Sequence, residues 1–340
     1  MSIVSKELIN SISKKHLSTS SKTTFQTCRQ KWLLYKLFTP KVEKNYFRYG
    51  TLWHYALEIF YSNQDEKLIE EAVNREIEDY KNNNLVMEEE VTELNNQLYT
   101  LSILYKFYKE WAKERDNFKI IDVEKEDILE IDGTEIRVRL DAIVEDEMGG
   151  LWVLEHKTAK QFDEEKYEID QQVSMYTYVA QKIYGKKFEG VIINLSKKGV
   201  KPETELPRLK SGALSKDKNK YKKIPYPILE KIVREEGLEG FDEMLNQMKN
   251  DNYFFKRVYV KRTEEELNLW LEQMKEFIKE YKNTDSYLPN PNWTCHNMCQ
   301  FYDVCKMYLK GRDHKDLLDN LYDLRKDKQE EMESKEDKED

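Results

Sequence analysis

Two short stretches decide how this chain folds: Val138-Arg139-Leu140-Asp141-Ala142-Ile143 and, further on, Trp152-Val153-Leu154-Glu155-His156-Lys157-Thr158. Both alternate or run apolar with the two-residue period of a strand, and Met148-Gly149-Gly150 between them supplies a turn. Upstream, residues 120–126 and 127–131 have the same character and are separated from the run 135–145 by Asp132-Gly133, a dipeptide suited to a tight hairpin. This is a hairpin-rich antiparallel set. Its period places Glu155 and Lys157 on one face of their strand and His156 on the other. If the two quoted strands pair, Asp141 joins them, so that two carboxylates and one ammonium meet. Oxygen ligands of this kind suit Mg²⁺ or Mn²⁺, and a cation held by few carboxylates keeps waters that serve as nucleophile. The lysine would orient that water and stabilise the charge developing on the phosphorane. Taken alone, Glu-x-Lys is also what the charged end of a solvent-facing strand looks like.

Helices surround these strands. Ser18-Thr19-Ser20-Ser21 offers N-caps ahead of Phe25, Cys28, Trp32, Leu33 and Tyr35. A second helix is expected to begin near Gly50-Thr51 and to carry Leu52, Trp53, Tyr55, Ala56, Ile59 and Phe60, with His54 among the aromatics. Residues 65–115 are helical in period, with Leu98, Leu101, Ile103, Leu104, Phe107, Tyr108 and Trp111 as the buried stripe. Downstream, a helix over about 169–184 puts Gln172 and Tyr176 four residues apart on one face. Residues 190–195 and 254–260 read as strands, and 264–281 as a long amphipathic helix. The stretch 197–227 is Lys-rich and strand-poor and reads as a surface insertion. Beyond residue 310 an acidic helical segment fades into Lys/Glu/Asp low complexity. The expected fold is therefore α/β, a mixed central sheet flanked by helices, with one domain over 1–310 and a helical or disordered tail over 311–340.

The net charge of −9 is unevenly spread. Residues 311–340 hold 7 Lys/Arg against 12 Asp/Glu, whereas residues 1–60 and 197–223 each hold 10 against 3. Two basic regions are compatible with phosphate contacts in an acidic protein, although Lys-rich loops are as often simply solvated. No apolar run is long enough to span a bilayer and the first residues lack a signal-peptide core, so a cytoplasmic protein with no membrane association is expected. The 4 cysteines form an asymmetric set: Cys28 alone, then Cys295, Cys299 and Cys305. In the cytosol such cysteines are metal ligands rather than disulfides. Zinc usually takes two short Cys-x-x-Cys knuckles, and the spacing here wraps a bulkier iron–sulfur cluster more naturally. Zinc stays open as the alternative.

In order, His54, Asp141, Glu155-x-Lys157 and Gln172-x-x-x-Tyr176 resemble the RecB-type branch of the PD-(D/E)XK nuclease superfamily. The segment Ser18-Thr19-Ser20-Ser21…Phe25-Gln26-Thr27-Cys28-Arg29-Gln30-Lys31-Trp32 looks like that branch's opening. The three-cysteine segment is similar to its iron–sulfur subgroup, which includes CRISPR-associated exonucleases and helicase–nuclease nuclease domains. The resemblance spans roughly residues 17–308, and its specificity lies in the ordered combination. It implies a restriction-endonuclease-like fold whose N-terminal helical arm and C-terminal cysteine segment are joined by a metal cluster. It implies that His54, Asp141 and Glu155 hold Mg²⁺ or Mn²⁺, with the His156 carbonyl as a further ligand. Lys157 would position the attacking water, and Gln172 and Tyr176 would support Lys157 or the DNA. Cys28, Cys295, Cys299 and Cys305 would hold a [4Fe–4S] cluster. The implied activity is hydrolysis of DNA, single-stranded or end-bearing duplex, as an exonuclease in recombination, repair or phage/CRISPR-type processing, with a helicase or recombination partner. The alternative is a non-catalytic iron–sulfur or zinc-stapled DNA-binding accessory protein. Leu140 stands where the superfamily has its nominal proline, and Glu155 where this branch usually has aspartate. No phosphate-binding Gly-x-x-x-x-Gly-Lys-Ser/Thr loop is present, so no helicase motor is expected in this chain.

Overall fold

The structure, a computed structural model, describes residues 3–42, 45–82, 86–185, 187–201, 203–250 and 253–325. In chain order the elements are α1 (Lys6–Asn10), β1 (His16–Leu17), α2 (Thr19–Thr27), α3 (Arg29–Leu37), β2 (Phe38–Pro40), α4 (Asn45–Tyr61), α5 (Lys67–Lys81) and α6 (Glu88–Lys113). There follow β3 (Phe118–Ile131), β4 (Thr134–Asp146), β5 (Leu151–Ala159), α7 (Gln171–Tyr184), β6 (Phe188–Lys197), α8 (Tyr226–Glu235), α9 (Asp242–Asn250) and β7 (Phe255–Val260). The last are α10 (Glu264–Asn283), α11 (Thr294–Met298), α12 (Tyr302–Leu309), α13 (Lys315–Leu321) and β8 (Tyr322–Leu324). Among the described residues no helix is long and apolar enough to cross a membrane.

The chain divides into two compact units, one of residues 45–125 and 139–263, the other of 1–44, 126–138 and 264–340. In the first unit the strand order is β4-β5-β6-β7, with β3 alongside β4. β4 and β5 are antiparallel, β5 and β6 parallel, and β6 and β7 antiparallel, so the sheet is mixed as expected. A parallel pair needs a crossover, and α7 provides it, starting at an N-cap where Asp170 accepts the Gln172 N–H. β6 is buried along nearly its whole length, the mark of a central strand covered on both faces. On one of those faces an aromatic core gathers Trp53 from α4, Tyr108 from α6 and Phe255 from β7, with Trp53 stacked at 8° on Phe255. This is the mixed sheet flanked by helices of a restriction-endonuclease-like fold.

The second unit has its own core. Phe25 and Trp32 from the α2–α3 corner pack edge-on against Tyr281 of α10, and Tyr287 stacks on Trp32 at 5.7 Å. β1 runs parallel to the start of β4, with His16 opposite Glu135 and Leu17 opposite Ile136. β2 pairs antiparallel with β8, placing Phe38 opposite Leu324.

Several boundaries differ from expectation. α4 starts at Asn45, five residues before Gly50, because nothing in the helix requires a break there: a Cβ on Gly50 would meet only Thr158 Oγ1 at 3.8 Å. Residues 118–131 form one strand rather than two, kinked where Glu124 takes φ 52°. The turn Asp132-Gly133 has both φ values positive (47° and 68°), as a two-residue hairpin demands. The stretch 197–227 is better anchored than a solvated loop, with Leu214, Tyr221 and Ile224 buried, and α8 and α9 follow it. Within 311–325 the expected helical segment is α13, and β8 after it folds back so that Tyr322 stacks on Phe301 at 4.8 Å. From residue 326 the low-complexity tail lies outside the described residues.

Candidate active site

The first unit brings together every residue of the carboxylate–lysine constellation. Asp141 on β4 is 9% exposed; its Oδ2 accepts the backbone N–H of His156 at 2.7 Å and lies 3.4 Å from Nδ1 of His54 on α4. Burial alone would raise its carboxyl, but the hydrogen bond and charge of His54, with the His156 N–H, hold it below the usual carboxylate range. Burial pulls His54 the opposite way from Asp141, and Asp141 together with Glu155 wins, raising the imidazole.

Glu155 on β5 is 3% exposed, and burial beside Asp141 raises its carboxyl despite the opposing charge of Lys157. Its Oε1 accepts Lys157 Nζ at 2.6 Å and Gln172 Nε2 at 3.0 Å, while Oε2 is buried with no hydrogen-bond partner. Burial penalises the Lys157 ammonium, and Glu155 more than compensates, so it is held charged. Lys157 also donates to Gln172 Oε1 at 2.8 Å; Gln172 donates to the Tyr176 hydroxyl at 2.7 Å; Tyr176 donates to the Arg139 carbonyl at 3.0 Å. The four-residue spacing of Gln172 and Tyr176 thus does what a shared helical face allows, and ties α7 to both β5 and β4.

His156 points to the other face. Its ring is stacked on Tyr61 at 5.5 Å, and Nδ1 accepts from Asn194 Nδ2 at 3.0 Å. Asn194 donates to the Tyr108 hydroxyl at 2.7 Å, which is 2.6 Å from the Tyr61 hydroxyl, and Arg257 joins Tyr61 to Asp116. Burial keeps the imidazole neutral, with its pKa down at about 3. The role of this layer is positional, since the N–H of the same residue fixes Asp141. Glu124, at the kink of β3, is the residue sequence reasoning missed. Half-buried near Asp141, its carboxyl is raised by that partial burial and by the Asp141 charge, against the ion pair to Arg139. It lies in the polar run Val123-Glu124-Lys125-Glu126, which carries no signal distinguishing one glutamate from the next.

Two carboxylates, one of them with an unpartnered oxygen (Glu155 Oε2), and an imidazole are donor types that suit a hard divalent cation. In this arrangement Lys157 and the His156 N–H take up the other carboxylate oxygens, and among the described residues no three His, Cys, Asp or Glu side chains gather tightly about one point.

In the second unit the four cysteines are free and line a single cavity of about 260 Å³, with Leu34, Pro289 and Phe301 among its walls. Cys28 sits at the α2–α3 corner, where its Sγ accepts the N–H groups of Lys31 (3.4 Å) and Asn290 (3.3 Å). Cys295 Sγ accepts the Asn292 N–H at 3.3 Å. Burial, reinforced by the other three sulfurs, pushes the Cys305 thiol up to about 11, and burial raises Cys299 likewise.

No curated protein sequence matches this chain. A solved structure described as the crystal structure of SSO0001 aligns over 88% of this chain and 90% of its own, at 11% identity and a TM-score of 0.33. The sequence profile of the PD-(D/E)XK nucleases matches residues 16–306, from the first strand to the last cysteine helix, and on that match the chain belongs to the PD-(D/E)XK nuclease superfamily.

Proposed function

We propose that this nuclease is a Mg²⁺- or Mn²⁺-dependent deoxyribonuclease of the RecB type, working as an exonuclease on single-stranded or end-bearing DNA. The observation that carries the reading is the relay from Glu155 through Lys157, Gln172 and Tyr176 to the Arg139 carbonyl, set beside the Asp141–His54 pair. Asp141, Glu155 and His54 would hold the cation, with the His156 carbonyl as a further ligand. When bound, the cation polarises the scissile phosphate and acidifies water. The chain's own contribution is positional and electrostatic. Lys157, held charged between Glu155 and Gln172, aims an ammonium at the attacking water and at the charge that builds on phosphate oxygen. The Asn194–Tyr108–Tyr61 layer locks His156, and with it the N–H that orients Asp141.

Cys28, Cys295, Cys299 and Cys305 would hold a [4Fe–4S] cluster. Support comes from four free sulfurs lining one cavity and from the spacing of Cys28, Cys295, Cys299 and Cys305, which lacks the paired Cys-x-x-Cys knuckles usual for tetrahedral zinc. Roles in recombination, repair or phage/CRISPR-type processing, alongside a helicase, are the settings such a nuclease suits. Protein purified without oxygen is expected to be brown and to contain iron and sulfide. On end-labelled DNA it should release nucleotides with Mg²⁺ or Mn²⁺ and stop on chelation, and Glu155→Gln should lower kcat by at least about 10²-fold. Retention of DNA by the wild type without any cleavage would instead assign it an accessory role.

A further inference from the structure

β5 and β6 run parallel in a register that sets Glu155 opposite Ile193, Lys157 opposite Leu195 and Ala159 opposite Lys197. Paired residues project to the same side of a sheet, so Lys197 stands on the face that carries Glu155 and Lys157. With a rise of about 3.3 Å per residue and about 4.8 Å between strands, its Cα lies about 8 Å from that of Lys157. Lys197 is only 8% exposed, its ammonium 4.2 Å from the Tyr253 ring centroid and 4.9 Å from that of Phe162. Lysine is rarely buried without a counter-charge. Yet among the described residues no carboxylate pairs with Lys197, with the exposed Lys223 that approaches it, or with the exposed Lys160 that approaches the adjacent Lys198. The nearby acid Glu164 is engaged by Lys256.

These cations crowd one another. Burial and then the charge of Lys223 lower the Lys197 ammonium, and burial and then Lys160 lower that of Lys198. The crowding is built in. Lys223 is fixed by a hydrogen bond from the Lys201 N–H to its carbonyl at 2.7 Å, and the segment bearing it is pinned by buried Tyr221, whose hydroxyl donates to the Ser215 carbonyl at 2.6 Å. Tyr253 also walls a cavity of about 200 Å³ together with Lys218, Tyr221, Lys222 and Phe254. Cations such as Lys160, Lys197 and Lys223, without a carboxylate partner among the described residues and next to aromatic faces and a recess for one ring system, are the elements by which proteins grip a single nucleic-acid strand.

We propose that Lys160, Lys197 and Lys223, with Tyr253 beside them, form a strand clamp in which the 197–227 segment holds the substrate backbone beyond Lys157. The proposal rests on the nuclease reading above but is tested apart from it. Binding of a labelled single-stranded oligonucleotide is measured in Ca²⁺ across a salt series, and cleavage of the same strand in Mg²⁺ and Mn²⁺. The variants are K160A/K223A, K197A, K197R and, as a control on α5 that removes one charge away from the segment, K81A. Each lost phosphate contact should lower the slope of log affinity against log salt by about 0.7, so the double variant loses about 1.4. Between about 50 and 200 mM salt the wild type then loses about sevenfold more affinity than K160A/K223A. KM should rise with kcat little changed, K197R should keep the slope, and K81A should match the wild type. Slopes and KM values for K160A/K223A and K197A equal to those of K81A would overturn the clamp. A wild type that binds with a lysine-dependent slope yet never cleaves would sink the nuclease reading and leave the clamp standing.

Discussion

At the residue scale the site is a set of carboxylates each held by a different neighbour. Asp141 is kept ionised by His54, while Glu155 is left with one oxygen paired to Lys157 and one bare. That asymmetry matters because a buried, unpartnered carboxylate oxygen costs free energy unless something positive reaches it. Tyr176 lies one step further out. Its hydroxyl bridges the Gln172 amide and the Arg139 carbonyl. Tyr176→Phe should leave the fold intact by thermal unfolding but free the Gln172 amide that steadies Lys157, lowering kcat by about 10- to 100-fold with little change in KM. An unaltered kcat would remove Tyr176 from the relay. The pairing of Glu155 with Lys157 was legible in the sequence because a two-residue period fixes which side chains share a face. Glu124 was not, because its approach to Asp141 depends on a kink in β3 that no local pattern announces.

At the element scale, glycine-marked turns and apolar periods located β4, β5, β6, α7 and α10, while short or long-range features escaped. β1 is two residues long and exists only because the start of β4 offers it an edge. α8 and α9 sit behind a Lys-rich segment whose composition masks the apolar stripe of Ile228, Leu229 and Val233. The β6–β7 contact shows how tight the sheet is. A Cβ built on Gly190 would stand 2.3 Å from the Val260 carbonyl oxygen, a backbone atom that cannot swing aside. Gly190→Ala should therefore push β7 away and cost about 1–3 kcal/mol, read as a lower denaturant midpoint. An unchanged midpoint would mean that β7 docks less closely than described. Because Arg257 on β7 reaches Tyr61, the same variant should also weaken the polar layer behind His156.

At the scale of the whole molecule, the four cysteines lie within one unit and the carboxylate site wholly within the other, and the proposed cluster would close a loop from residue 28 to residue 295. Joining chain ends so distant restricts the unfolded ensemble, an effect worth up to about 5 kcal/mol for a covalent link over a loop of this order. Cys305→Ser is expected to lose iron and to unfold at lower temperature. A variant with full iron and an unshifted transition would take Cys305 out of the cluster, and zinc in place of iron would replace the cluster with a single-ion staple. The carboxylate-bearing unit ends at residue 263, whereas the last cysteine comes at 305. During synthesis, at about 5–20 residues per second, the carboxylate-bearing unit is therefore complete some 2–8 seconds before its sister unit has all its sulfurs.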